Sequence, residues 1–214
     1  MADQLVFYTN PMSRGRIVRW MLEEVGCPYE TKVLEYGQFM KAPEYLAINP
    51  MGKVPAIRHG ETVVTECAAI CAYLADVFAD AGLAPPLDAR GAYYRWLFFA
   101  AGPLETAVFN RSLEITVPAE KGATIGYGNY ETTISTLSQA VESGGYIAAD
   151  YFTAADVYIG SHIGWSMQFG TIEKTPVFES YWQRVSSRDA HHRAVEIDDA
   201  LLADQTASTP DQGT

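Results

Sequence analysis

The sequence is short of nearly everything that would mark a secreted, membrane-bound or nucleic-acid-binding chain. Its 214 residues include three cysteines, Cys27, Cys67 and Cys71, an odd number with no CxxC or CxxH spacing. A chain of this length needs no covalent staples, so neither structural disulfides nor a zinc or other metal site is expected. Basic residues are scarce as well: 15 Lys and Arg against 26 Asp and Glu leave a formal net charge of −11. With no basic block anywhere, nothing can neutralise a run of phosphates, and nucleic acid and anionic membrane surfaces are not expected as partners. No apolar run approaches the roughly 20 residues that cross a bilayer. The opening MADQLVFYTN places Asp3 where a secretory leader would carry Lys or Arg, and a cytoplasmic protein is the expectation. Internal repeats and low-complexity segments are also missing.

What is present is a patterned chain, 48% apolar and long enough for two small cores. Leu5 to Tyr8 form a short apolar run broken by Thr9, Asn10 and Pro11, which reads as a buried strand entering a loop. Ser13 is placed to cap a helix carrying Ile17, Val18, Met21, Leu22 and Val25 at helical spacing, with Gly26 as its stop. Tyr29 to Leu34 reads as a second strand, followed by an irregular segment with a short helix around Pro43. Val54 to Arg58 and Thr62 to Val64 form a hairpin, turning at His59-Gly60 or Gly60-Glu61, and Glu66 to Phe78 is a helix capped by Thr65. This predicts an α+β front domain over residues 1–80, in the order βαβαββα, and a linker over 81–88 containing Pro85 and Pro86. Residues 89–204 predict an all-helical domain, with helices over Arg90–Leu113, Ile125–Glu142, Ala154–Gln168 and Val177–Arg188. Within it, Phe152-Thr153-Ala154-Ala155-Asp156 has the pattern of a capping box. The small polar tail, 205–214, is expected to be disordered.

Taken in order, YTNPMSRGRIVRWMLEEVG, NPMGKVPAI, VVTECAAICAYLADVF, the proline-containing linker and FTAAD resemble the cytosolic glutathione transferases over nearly the whole chain. The PMS opening is most similar to the serine-type bacterial, theta and phi classes. The resemblance implies a thioredoxin-like front domain that binds glutathione, a helical back domain, a homodimer, and a detoxification activity. In that activity the glutathione thiolate, as cosubstrate, attacks a small, partly apolar electrophile, and no cofactor is needed.

The resemblance also implies roles for individual residues. Ser13 would donate a hydrogen bond to the glutathione sulfur, helped by the positive end of the helix that follows. Tyr8 and Asn10 are rival donors. Val54, before a cis-proline turn, would pair through its backbone with the cysteinyl part of glutathione. Lys53, and less directly Gln38 and Lys41, would meet the glycine carboxylate. Glu66 and Cys67 would meet the γ-glutamyl end, Cys67 standing where the family usually has serine and offering a poorer donor. An acceptor pocket between the domains would be bordered by Met12, Pro103, Leu104, Ala107, Val108, Arg111 and Trp165, while Asp156 would serve folding. A glutathione-dependent peroxidase, isomerase or dehalogenase, or a non-catalytic glutathione-binding or interaction protein, are the alternatives on the same scaffold.

Overall fold

The computed structural model describes residues 4–208, which fall into two compact units: the chain up to Ala81 together with the chain from Arg188 onward, and Gly82–Ser187. The first unit is built on four strands, β1 (Leu5–Thr9), β2 (Glu30–Val33), β3 (Ala56–His59) and β4 (Thr62–Thr65), in the order β2-β1-β3-β4. β1 is central and buried on both faces, which is why LVFY reads as an unbroken apolar run. Val6 and Tyr8 join Met40, Tyr45 and Ala56 in one small core. On the other face Phe7 meets Tyr29 edge-on and lies 4.9 Å from the Arg19 guanidinium.

Helix α1 (Gly15–Val25) crosses over between the parallel strands β1 and β2, burying Ile17, Val18, Met21 and Leu22 and ending at Gly26 in the left-handed conformation. β3 runs antiparallel to β1 and closes on β4 through Gly60-Glu61, with Gly60 at φ 56 as the first residue of the two-residue loop. The short α2 (Pro43–Leu46) supplies Tyr45 to the core, and α3 (Cys67–Val77) packs Ile70, Cys71 and Leu74 inward. Strand and helix order are those of the thioredoxin-like fold. One expectation fails here: the cap position of α3 is Glu66 rather than Thr65, because the chain turns into the helix through a left-handed residue, Glu66 at φ 68.

The second unit contains α4 (Gly91–Phe99), α5 (Glu105–Ser112), α6 (Tyr130–Val141), α7 (Ala154–Gln168) and α8 (Pro176–Ser186). The single helix expected over Arg90–Leu113 is interrupted by a π turn at Ala100–Leu104, where Pro103 cannot donate an N–H. The helix expected from Ile125 begins only at Tyr130, after Gly128 at φ 70, with the Asn129 side chain accepting from Thr132 N. α7 is apolar on nearly all sides and correspondingly buried. Its first turn is anchored by Asp156, whose Oδ2 accepts from the N–H and hydroxyl of Thr153 (both 2.9 Å) and whose Oδ1 accepts from Ile147 N–H and the Tyr181 hydroxyl (both 2.8 Å).

A further helix, α9 (Asp189–Ser208), packs on α1 and so belongs to the first unit, which corrects the assignment of 89–204 to one helical domain. It also corrects the expected disordered tail, since 205–208 are helical; residues 209–214 lie outside the described residues. Charge does much of the docking. Arg19 and Asp198, both 1% exposed, pair at 3.2 Å, and Arg19 also donates to the Tyr29 hydroxyl (3.1 Å) and Thr31 Oγ1 (2.7 Å). Arg188 grips Glu24 with two bonds of 2.7 and 2.8 Å, and Arg193 meets Glu23 at 3.1 Å. Burial pushes the Asp198 carboxyl above the usual aspartate range, with Arg19 opposing the shift. The buried face of α9 consists of Ala190, Ala194 and Asp198, small or charged residues that hydrophobic periodicity does not register.

Candidate thiol-binding site

Strand register gathers the candidate residues of the first unit at one end of its sheet. Tyr8 pairs with Ala56, and Ala56 in turn with Thr65. The chain therefore leaves β1 toward Ser13, enters β3 from Val54–Pro55, and leaves β4 toward Glu66 and Cys67, all at the same edge. The Val54–Pro55 bond is cis. The N-termini of α1 and α3 meet there too, since Cys67 Sγ donates to the Arg14 carbonyl at 3.7 Å. Two positive helix ends, with the first-turn N–H groups of α3 lacking partners within the helix, make this edge suited to anionic groups.

The loop between β1 and α1 is held from several sides. Asn10 donates through Nδ2 to the Leu34 carbonyl (2.8 Å) and accepts at Oδ1 from Met12 N–H (2.9 Å). Each carbonyl from Asn10 to Arg14 accepts a bond: Asn10 from Ser13 Oγ, Pro11 from Arg16 Nε, Met12 from the Tyr36 hydroxyl, Ser13 from Arg16 N–H, and Arg14 from Cys67 and Ile17. The negative ends of these peptide dipoles are thus occupied by donors, which favours negative charge at the loop's open side. Gly15 is required by packing, because a Cβ there would collide with the buried Thr9 side chain.

Ser13 is half-buried at the head of α1, one residue ahead of the cap position, which Arg14 occupies instead of Ser13 because the helix starts at Gly15; its Oγ accepts from Gly15 N–H (2.9 Å) and donates to the Asn10 carbonyl (2.7 Å). The hydroxyl can swing away without orphaning that carbonyl, which keeps Ser13 N–H at 3.0 Å. Accepting from Gly15 also polarises the O–H and makes it a better donor. The rivals are placed otherwise. Tyr8 is 5% exposed, with its ring 5.6 Å from that of Tyr45 in the small core, and Asn10 is a buried brace for the loop.

The loop before Val54 is equally braced. Lys53's carbonyl accepts from the Tyr45 hydroxyl and from Asn49 Nδ2 (both 2.7 Å), and burial pushes the Tyr45 hydroxyl up to about 12. Lys41 Nζ donates to the Met51 carbonyl at 2.8 Å, so this ammonium ties two segments together. Gly52, at φ 56, admits no side chain, since a Cβ would lie 2.5 Å from the Met40 carbonyl. Lys53 and Gln38 are exposed at the same edge, and Val54 is half-buried. Glu66 is exposed with φ 68 and ψ 123, a conformation that costs a non-glycine residue about 1–3 kcal/mol. Cys67 is buried at the first position of α3, and Cys71, fully buried one turn on, has its thiol pushed well up by burial and by Cys67.

The acceptor-pocket candidates divide between the units. Met12, in the first, is 69% exposed. In the second, Leu104, Ala107 and Val108 are buried, and Leu104 and Ala107 in particular have no surface left for a ligand, because the π turn rolls them into the unit's core. Pro103 and Trp165 are half-buried, and Arg111 is exposed with its guanidinium 4.4 Å from the Tyr130 ring. Tyr36 and Arg16, both bonded to the Ser13 loop, were not foreseen as site residues. The RGR run after Ser13 was the available signal for Arg16, whereas Tyr36 lies in a segment without periodicity. Among the described residues no helix is long and apolar enough to cross a membrane.

Comparison with known proteins agrees with this geometry. Residues 12–77 match the family described as "Glutathione S-transferase, N-terminal domain". The glutathione S-transferase GstA of Escherichia coli O157:H7 is 28% identical over 165 residues, covering 75% of this chain and 78% of that protein. The glutathione S-transferase GST-4.5 of Xanthomonas campestris pv. campestris is 27% identical over 191 residues, with 83% and 91% covered. The crystal structure of a glutathione transferase from Methylococcus capsulatus superposes with a TM-score of 0.74 at 25% identity, covering 92% of this chain and 99% of that one. With its sheet topology, its cis Val54–Pro55 turn and its two converging helix N-termini, the first unit is similar to the N-terminal domain of the glutathione S-transferases.

Proposed function

We propose that the protein conjugates the glutathione thiolate to a small, partly apolar electrophile, with Ser13 as the hydroxyl that stabilises the thiolate. The observation that carries this reading is the position of Ser13: half-buried at the head of α1, with its oxygen polarised by Gly15 N–H and its proton releasable from the Asn10 carbonyl. A free thiol, with a pKa of about 8.5, is mostly protonated at neutral pH. One charge-assisted hydrogen bond plus the α1 dipole favours the ionised form. The thiol proton passes to solvent, the sulfur forms a bond to the electrophilic carbon, and the leaving group departs or the adduct takes up a proton.

The remaining groups fit an extended tripeptide. Glu66 faces the γ-glutamyl amine and the α3 N-terminus its carboxylate, Val54 pairs with the cysteinyl backbone, and Lys53 and Gln38 attract the glycine carboxylate. Lys41 contributes as a brace of the Met51 loop. Self-association as a homodimer is part of the same reading, supported by Leu87 (80% exposed), Phe98 (73%) and Tyr94 (42%) in and before α4. A second reading, a glutathione-binding protein without turnover, is favoured by one observation, the engagement of the Ser13 proton by Asn10 at 2.7 Å.

The test is to titrate the ultraviolet absorbance of the bound thiolate against pH and to assay turnover with a chromogenic electrophile. A bound thiol pKa well below that of free glutathione, with turnover, supports conjugation. Binding with no pKa change and no turnover supports the second reading.

A further inference from the structure

Arg16 ties the Ser13 loop to the last helix. Its Nε donates to the Pro11 carbonyl at 2.6 Å, and its Nη2 meets Asp199 Oδ1 of α9 at 2.8 Å. Pro11 lies inside a tight turn that runs from Asn10 to Ser13 and is closed by Ser13 N–H on the Asn10 carbonyl. A guanidinium is a planar fork, so fixing one nitrogen on a carboxylate fixes the direction of the others. Arg16's own backbone lies in the first turn of α1, and without Asp199 the side chain would keep one hydrogen bond, to the Pro11 carbonyl, and the charge of Asp198. The neighbouring pairs of α9, Arg19–Asp198, Arg188–Glu24 and Arg193–Glu23, attach the helix to the body of α1 rather than to the loop. The Arg16–Asp199 pair alone among them reaches the turn that presents the hydroxyl.

We propose that Asp199 is a positioning residue for the thiol site, acting through Arg16 to hold the Pro11–Ser13 turn in the geometry that presents the Ser13 hydroxyl. The inference rests on the conjugation reading above. It gives α9 a task beyond packing: the C-terminal helix completes the thiol site from outside the thioredoxin-like domain's contiguous sequence. Asp199 is 59% exposed at its side chain and Arg16 25%, so the expected effect is moderate.

The experiment compares Asp199→Asn and Asp199→Glu with Arg193→Gln, which breaks a neighbouring α9 pair without touching the loop. Bound-thiol pKa, kcat, KM for glutathione and thermal midpoint are measured for each in the full chain. Positioning predicts that Asp199→Asn raises the bound thiol pKa and lowers kcat by about two- to five-fold, the size of a moderately exposed ion pair. It further predicts that Asp199→Glu restores both and that Arg193→Gln leaves them unchanged. If Asp199→Asn lowers the thiol pKa, Asp199 acts only as a negative charge that offsets Arg16 in the unmodified protein, and positioning is overturned. Unchanged parameters, or equal losses in Arg193→Gln, overturn it as well. If the unmodified protein shows no lowered thiol pKa, the conjugation reading falls and the inference with it, whereas a lowered pKa indifferent to Asp199 removes only the inference.

Discussion

Replacing Ser13 by alanine separates the two jobs its oxygen can do. As a brace of the helix start, Oγ accepts from Gly15 N–H at 2.9 Å, and losing that bond costs about 1 kcal/mol of stability. For a chain of this size the thermal midpoint should fall by roughly 2–4 °C. As a donor to the glutathione sulfur, the hydroxyl stabilises the deprotonated form, so removing it must raise the bound thiol pKa. A hydrogen bond to a charged group contributes about 1.5–3 kcal/mol. At about 1.4 kcal/mol per pKa unit, the rise should be roughly one to two units. Turnover at saturating glutathione should then fall in proportion to the lost thiolate, by at most about ten- to hundred-fold, a limit reached at pH values well below the bound thiol pKa. Ultraviolet titration of bound glutathione, together with calorimetry on the same variant, reads both quantities. A lowered midpoint with an unchanged thiol pKa would refute the argument and leave Ser13 as a brace of the helix start only. The donor would then have to be a backbone N–H of the loop, because Tyr8 is held in the core against Tyr45 and Asn10 is spent on Leu34 and Met12.

Three other substitutions test separate parts of the account. Asp156→Asn turns one acceptor oxygen into a donor facing two donors, and should cost about 3 kcal/mol. That corresponds to roughly 6–12 °C in the thermal midpoint, with little change in glutathione affinity. Asp198 has its native pKa raised above the usual aspartate value by burial, so in the window between the two the native state holds more protons than the unfolded one and stability from this residue declines as pH rises. Asp198→Asn should remove that slope from a plot of midpoint against pH while lowering stability overall by about 3–5 kcal/mol, since Arg19 is left buried without its anion. Cys67→Ser replaces a weak donor at the head of α3 with a stronger one, and isothermal titration should show glutathione binding tightened by up to about five-fold. Equal or weaker binding would mean that the side chain at 67 does not face the ligand.

Much of the first unit is legible in the chain itself, because its signals are local. A four-residue apolar run broken by Thr9-Asn10-Pro11 reads as a buried strand entering a turn, Gly26 stops α1, and Gly60 allows a two-residue hairpin. The FTAAD run places Asp156 at the third position of α7, and the structure adds only its contacts with Ile147 and Tyr181. Composition likewise bounds the chemistry, since a net charge of −11 and three cysteines without CxxC or CxxH spacing leave few alternatives. What tertiary structure decided depends on groups distant along the chain. The cap of α3 passed from Thr65 to Glu66 because the backbone takes φ 68 at that position, and no propensity favours a glutamate there. Leu104 and Ala107 turned inward because a π turn at Pro103 rotates the helix after it, which spacing counted at 3.6 residues per turn does not foresee. α9 was invisible to hydrophobic periodicity because it docks through Asp198, Asp199 and arginines partnered with Glu23 and Glu24, and an ion pair separated by some 170 residues leaves no local pattern. That same separation is why Arg16 reads from the sequence as one more helix arginine, and only in the folded chain as the link between α9 and the Ser13 turn.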